Sequence, residues 1–168
     1  MQIHRLTAAD ATAYWEVRNR GLKEFPDAFT TSYEEGVATS PAALAKRFGG
    51  ADSDDFVLGA FADDGQLAGH AGFQREPRIK NRHRGTLIGM YVVPEFRGQQ
   101  VGKLLLQRLI AEVRALSGVE RLNLTVTHSN EAARMLYLRA GFVTFGLEKR
   151  ALKYGDAYYD KEYMGLAL

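Results

Sequence analysis

Val92-Val93-Pro94-Glu95-Phe96-Arg97-Gly98-Gln99-Gln100-Val101-Gly102-Lys103 is the stretch whose reading decides the fold. On its N-terminal side, Thr86 to Val93 reads as a strand, which Pro94 stops because proline has no NH to give to a ladder. On its C-terminal side, Val101, Leu105, Leu109, Val113 and Leu116 recur at spacings of three and four, which describes a helix from Val101 to Leu116. The turn between them lies where the unpaired NH groups of a helix start converge. Gly98 and Gly102 permit close backbone approach, and Arg97 and Lys103 bring positive charge to either end, a chemistry that suits a pyrophosphate. Taken alone, the same residues also fit a glycine-containing connection with solvated charges.

Working outward toward the N-terminus, Phe56 to Ala62 and Leu67 to Phe73 are apolar runs joined by Asp63-Asp64-Gly65, the composition of a hairpin. Ser40-Pro41 opens a helix in the favoured N-cap and N1 order, with its end expected near Gly49-Gly50. The polar segment Phe25 to Thr39, broken by Pro26 and Gly36, reads as a loop. Before it, Ala11 to Leu22 carries Ala11, Trp15 and Leu22, flanked by Tyr14 and Val17, at helical period, with Gly21 weakening its end. Thr7 to Asp10 resembles the start of that helix, and Ile3 to Leu6 a short strand.

Toward the C-terminus, Leu122, Leu124 and Val126 alternate with polar residues, the period of a strand with one apolar face. Asn130 can cap a helix running to about Ala140, where Gly141 supplies the left-handed residue beyond the end and Phe142 the apolar contact. Phe142 to Leu147 and Tyr158 to Leu166 then read as strands around a turn at Gly155-Asp156. The order is β-α-α-β-β-β-α-β-α-β-β, about seven strands in one mixed sheet with about four helices, a chain of the α/β (α+β) class.

No internal repeat or low-complexity linker divides the chain, and 168 residues suit one domain over residues 1–168, since domains run to roughly 100–150 residues. The absence of cysteine excludes disulfides, thiolate metal sites and a cysteine nucleophile, so no metal is expected. The first residues have no apolar signal region, and no run reaches the roughly 18 apolar residues of a membrane span, so the expectation is a cytoplasmic protein with no membrane partner. A net charge of +2 is too small for a general nucleic-acid binder. The basic segment from Arg75 to Arg84 lacks the interleaved aromatics that stack on bases, and reads as a solvated strand connection.

Val93-Pro94-Glu95-Phe96-Arg97-Gly98, followed by Gly102 and a leucine-rich helix, resembles the acetyl-CoA signature of the GNAT superfamily of N-acetyltransferases. The core of that signature is Gln or Arg, two residues, Gly, one residue, then Gly or Ala; here it begins at Arg97 and closes at Gly102, with Gln100 in place of its first glycine. A left-handed conformation at Gln100 would cost roughly 1–2 kcal/mol through its Cβ. Asn130 to Phe142 resembles the second hallmark of the family, an Asn, a helix carrying Leu136-Tyr137 and a Gly141-Phe142 ending.

The resemblance implies a single GNAT-like domain with a twisted, mostly antiparallel sheet. It implies acetyl-CoA as acyl donor, its phosphates at Arg97, Gly98, Gln99, Gln100, Val101, Gly102 and Lys103, and its pantetheine arm along Tyr91, Val92 and Val93. It puts Asn130 and Ala133 near the pantetheine or CoA and Tyr137 near the thioester sulfur, where a phenol can protonate the leaving thiolate. On the residues alone, Tyr137 reads as a partly buried tyrosine with a satisfied hydroxyl and Asn130 as a helix cap that needs no ligand; it is the resemblance that turns Tyr137 toward a functional role. The implied reaction is direct attack in a ternary complex, with a strand NH near Val92 stabilising the thioester oxygen.

The carboxylate bases used by relatives have no counterpart in Thr86 to Met90 or Leu124 to His128. His128 reads as a structural histidine at a loop start, and Glu24, Glu34 and Glu35 stand in the acceptor-side segment, where they either bind a cationic amine or belong to the solvated surface. The expected acceptor is a small-molecule amine or a protein N-terminal amine, with no nucleic acid; the resemblance also allows a homodimer. The competing class is a non-catalytic acyl-CoA-binding or regulatory module, which Gln100 and the missing carboxylates motivate.

Overall fold

Seven strands and five helices follow one another in a computed structural model that describes residues 1–50 and 53–168. They are β1 (Gln2–Arg5), α1 (Ala11–Glu24), α2 (Tyr33–Ala38), α3 (Pro41–Ala45), β2 (Phe56–Phe61), β3 (Leu67–Arg75), β4 (Arg84–Val92), α4 (Val101–Ala115), β5 (Arg121–Thr127), α5 (Glu131–Arg139), β6 (Val143–Tyr154) and β7 (Ala157–Ala167). The strands form one sheet in the order β1-β2-β3-β4-β5-β7-β6. Every pairing is antiparallel except that of β4 with β5.

Both faces of the sheet are covered. On one, Val101, Leu105, Leu109 and Val113 of α4 pack on Phe56, Leu58, Ala71 and Phe73, so the three-and-four spacing on α4 is the stripe that meets the sheet. On the other, Ala11 and Tyr14 of α1 and Leu44 of α3 pack with Leu6, Phe48, Val57 and Leu67. Each fully buried aliphatic side chain contributes roughly 1.5–3 kcal/mol, and the α4 face holds most of them.

Two features of β4 shape the centre of the sheet. Between the pairs His70↔Tyr91 and Gly72↔Ile88, the single residue Ala71 stands opposite both Gly89 and Met90, a bulge that Gly89 permits with φ 57°. In addition, β4 and β5 are paired only where Arg84–Thr86 meet Arg121–Asn123. Beyond that point β4 stays with β3 and β5 with β7, so the two parallel strands part toward their C-terminal ends.

Three readings of the sequence are corrected. Within the segment Phe25–Thr39, expected to be a loop, Tyr33–Ala38 forms α2, because Ser32 and Glu35 make a capping box that outweighs the breaker Gly36. Gly36 is needed there, since a Cβ would run into Asn19 and Leu22 of α1. The helix opened by Ser40-Pro41 ends at Ala45, short of Gly49-Gly50. The strand expected to stop at Leu147 continues to Tyr154; its polar run has no apolar alternation because it is exposed, and main-chain pairing to β7 across an irregularity between Glu148 and Leu152 carries it on. Among the described residues no helix is long and apolar enough to cross a membrane.

Candidate active site

The fork between β4 and β5 is closed at one end by the start of α4. Pro94–Phe96 makes a 3-10 turn, Gly98 follows with φ 75°, and Gln100 takes φ 62°, ψ 9°, so the chain enters α4 through two left-handed residues. No side chain caps α4. Its first intrahelical bond is donated by Leu104 to the Gln100 carbonyl, which leaves the NH groups of Val101, Gly102 and Lys103 without a helical acceptor at the positive end of the helix dipole. A Cβ on Gly98 would meet nothing within 4 Å, so the turn is open on that side. A Cβ on Gly102 would lie 3.5 Å from Met90 and 3.6 Å from Leu136, which brings the α4 start, the β4 bulge and α5 to one point.

Lys103, Gln99 and Gln100 are exposed beside this turn. Arg97 is turned the other way: its Nε and Nη2 donate to the Val92 carbonyl at 3.1 Å each, and its guanidinium lies 4.9 Å from the Phe25 ring centroid and 5.7 Å from that of Tyr91. It therefore ties the end of β4 to the end of α1 in this structure, with Glu24 at 3.7 Å. The Gln99 amide donates to the Glu95 carbonyl and firms the same turn.

Tyr137, on α5, reaches the fork from the other wall. It is 6% exposed, packs edge-on against Phe142, and finds Met90 Sδ at 3.6 Å as the only hydrogen-bond partner of its hydroxyl among the described residues. Thioether sulfur is a weak acceptor. Burial pushes ionisation of this phenol well above its ordinary value, so the hydroxyl keeps its proton at neutral pH. Asn130 caps α5, its Oδ1 accepting from the Ala133 NH at 3.1 Å, so these two residues are joined to each other and the Ala133 NH is already used.

Glu24, Glu34 and Glu35 have separate surroundings. Burial disfavours the charge on Glu24, but hydrogen bonds from Arg20 and Tyr91 prevail and hold its carboxyl below the usual range. The Tyr91 hydroxyl donates to Glu24 at 2.8 Å, and Arg20 bridges Glu24 and Glu95. Gly21 has its reason here, for a Cβ would stand 3.0 Å from the Tyr91 ring. Glu35 spends its carboxylate on the Ser32 NH at 2.8 Å, while Glu34 is exposed on the rim of a second hollow formed with Tyr33 and Tyr154.

His128 is less isolated than its position in the sequence implies. Its Nδ1 meets Glu162 of β7, which Arg134 Nε also approaches at 2.9 Å as an ion pair and to which Thr144 donates. Burial opposes the Glu162 charge, and Arg134 and His128 together hold its carboxyl low. Glu162 was discoverable: it occupies the inward period-2 series of Met164 and Leu166, where a charge requires buried partners. Among the described residues no group of three or more histidine, cysteine or acidic side chains is arranged to hold a metal.

Comparison with known proteins bears on this site. A family model described as acetyltransferase (GNAT) family matches residues 22–142. A streptothricin acetyltransferase from Streptomyces lavendulae is 32% identical over 136 residues, which are 81% of this chain and 64% of that protein's length. A GNAT-family acetyltransferase structure from Streptococcus pneumoniae superposes with a TM-score of 0.84 at 28% identity, covering 99% of both chains. A phosphinothricin acetyltransferase from Sinorhizobium meliloti, solved in complex with acetyl-CoA, superposes with a TM-score of 0.85 at 24% identity, covering 99% of this chain and 88% of that one.

Proposed function

Since the chain belongs to the acetyltransferase (GNAT) family, we propose that it moves an acetyl group from acetyl-CoA to a primary amine by direct attack in a ternary complex. One observation carries the reading: at the fork of β4 and β5, a buried phenol that holds its proton has, among the described residues, only a weak sulfur acceptor. The donor supplies an acetyl thioester. The residues at the α4 start suit its phosphates, because three NH groups there have no helical acceptor and Gly98 leaves the turn open. In this reading Gly98, Gln99, Gln100, Val101, Gly102 and Lys103 hold the phosphates, Arg97 adds charge on leaving the Val92 carbonyl, and Asn130 and Ala133 border the arm.

Beyond Thr86 and Asn123 β4 and β5 do not pair with each other among the described residues, so the main chain of Val92, flanked by Tyr91 and Val93, is suited to pair with an extended amide-containing arm once Arg97 leaves its carbonyl, while the Val93 NH stays with Ala68. The bulge at Gly89–Met90 redirects the main chain just before Val92, where an NH donates to the carbonyl oxygen under attack. The amine nitrogen bonds to the acetyl carbon, the carbon–sulfur bond breaks, and Tyr137 gives its proton to the departing thiolate. The proton lost by the amine leaves to solvent, which later reprotonates Tyr137. Glu24 and Glu35 are engaged in structural contacts, and Glu34 faces solvent, so none is assigned the base.

The acceptor is a small-molecule amine or a protein N-terminal amine, and the similarity to the streptothricin enzyme supports a small molecule. Purified protein incubated with acetyl-CoA and a panel of amines, with free CoA followed by a thiol reagent, tests the proposal. Amine-dependent thiol release is expected. Tight CoA binding without any such release across a broad panel would instead support a non-catalytic acyl-CoA-binding module.

A further inference from the structure

Between α1, α2 and the segment after α3 lies a cavity of about 300 Å³ lined by Arg18, Arg47, the hydroxyl-bearing Thr30, Thr31 and Thr39, and Glu35. That volume is at the lower end of small-molecule sites. Arg18 Nη1 is out of solvent, yet among the described residues it has no hydrogen-bond partner. Neither arginine has a carboxylate within 4.0 Å among the described residues. Glu35, the one acid in the lining, is turned to the Ser32 NH, so two guanidinium groups face a single committed carboxylate.

A guanidinium nitrogen shut away from solvent with no partner is unfavourable in the free protein, and the exposed guanidinium of Arg47 beside the half-buried Arg18 adds like-charge repulsion. Burial weighs against the charge of Arg18, the neighbouring Tyr14 supports it, and Arg47 opposes it again. Two guanidinium groups beside threonine hydroxyls are the chemistry that binds a carboxylate or phosphate oxyanion, with the Thr30 and Thr31 hydroxyl protons available for it and that of Thr39 already given to the Glu35 carbonyl.

The cavity is linked to the fork described above. Arg18 precedes Gly21, the residue under the Tyr91 ring, by three positions, a rise of about 4.5 Å along α1. From the other side, Thr30 accepts from Lys161, the register partner of Thr127 at the C-terminal end of β5, and the Thr127 hydroxyl donates to the Asp27 carbonyl. The Asp27–Thr30 segment thus runs from the mouth of the fork to the cavity wall.

We infer that this cavity binds an anionic group, carboxylate or phosphate, carried by the amine acceptor, so that the acceptor is a small aminoacid-like zwitterion rather than a simple amine. The inference rests on the acetyl-transfer reading for the word acceptor, but the binding itself does not depend on turnover.

The test uses ω-amino carboxylic acids from glycine to 6-aminohexanoate, each with its carboxamide, and aminoalkyl phosphates with the matching amino alcohols. Binding to the full-length protein loaded with CoA is measured by calorimetry, and thiol release with acetyl-CoA is followed separately. At least one anionic probe is expected to bind tenfold or more tightly than its uncharged counterpart. Arg18→Gln and Arg47→Gln should each abolish that difference while leaving CoA affinity and binding of the uncharged probe unchanged. Arg47→Gln decides the matter if Arg18→Gln does not fold. The carboxylate and phosphate arms identify the preferred oxyanion. Equal binding of charged and uncharged probes, or a preference that survives both substitutions, overturns the inference. Anion-selective binding with no thiol release leaves it standing and counts against acetyl transfer alone.

Discussion

Gln100 carries a left-handed backbone with a Cβ attached, a conformation that disfavours L side chains by roughly 1–2 kcal/mol relative to glycine. Gln100 is exposed, so its side chain meets no wall, and Gly98 two residues before it takes the other left-handed position of the turn. Glycine at this position would relieve the strain but loosen the unfolded chain, an opposing effect of about 0.4–1 kcal/mol. Gln100→Gly should therefore unfold about 1 kcal/mol later than Gln100→Ala in urea titrations; equal midpoints would mean that the turn is not held in this shape. At the residue scale the sequence was informative wherever one side chain has one local task. Asn130 as a cap, Pro94 as a stop and Gly141 as a left-handed terminator could all be read. Arg18 and Arg47 could not, because only the packing of α1 against α3 makes a pair of residues 29 positions apart (47 − 18 = 29) line one cavity.

β4 is the element on which the account turns, and its bulge is supported by a histidine from the neighbouring strand. His70, 1% exposed on β3, has its ring 4.8 Å from that of Tyr14 and 6.1 Å from that of Tyr91. The Gly89 main chain is near enough to favour protonation slightly, but neither ring nitrogen makes an aligned hydrogen bond among the described residues. Burial holds the imidazole down at about 3, and the charge on Arg18 acts the same way. The folded chain thus refuses a proton that the unfolded chain accepts near 6.5. Stability from this group is complete above pH 6.5 and falls as the pH drops toward 3, with a slope approaching about 1.4 kcal/mol per pH unit. Urea unfolding between pH 7.5 and 5 should show stability falling below about pH 6.5 toward that slope in the wild-type chain and a flatter fall in His70→Leu. Identical slopes would remove His70 from the account.

Elements with one apolar face, such as α4 and β5, were legible because their period survives in the order of residues. The bulge was not: Thr86 to Val93 has the apolar character of a continuous strand, and the extra residue emerges only in register with β3. α2 was missed for a related reason, since Pro26 and Gly36 signal breaks while the Ser32–Glu35 box that forms the helix is only four residues long.

For the molecule as a whole, the sheet supplies the arrangement, and in the proposed function the loops supply the choice of substrate. A short parallel pairing between β4 and β5 opens the sheet at its centre, α4 and α5 line the two sides of the opening, and α1 with α2 covers the side on which we propose the acceptor binds. The strand-turn-helix at the start of α4 and the helix capped by Asn130 could be read from two ordered signatures; the cavity beside α1 could not, because its surroundings come from α1, two loops and the middle of β7. The central claim is that the opening is an acetyl-transfer site in which the Tyr137 hydroxyl is the proton donor. The most direct measurement compares the wild-type chain with Tyr137→Phe, using calorimetry for acetyl-CoA affinity and rapid-quench single turnover at saturating acetyl-CoA with an amine that the wild type accepts. The expected result is an unchanged dissociation constant with transfer slowed by roughly 10²-fold or more. Transfer at the wild-type rate across the pH range, with the variant folded, would contradict it.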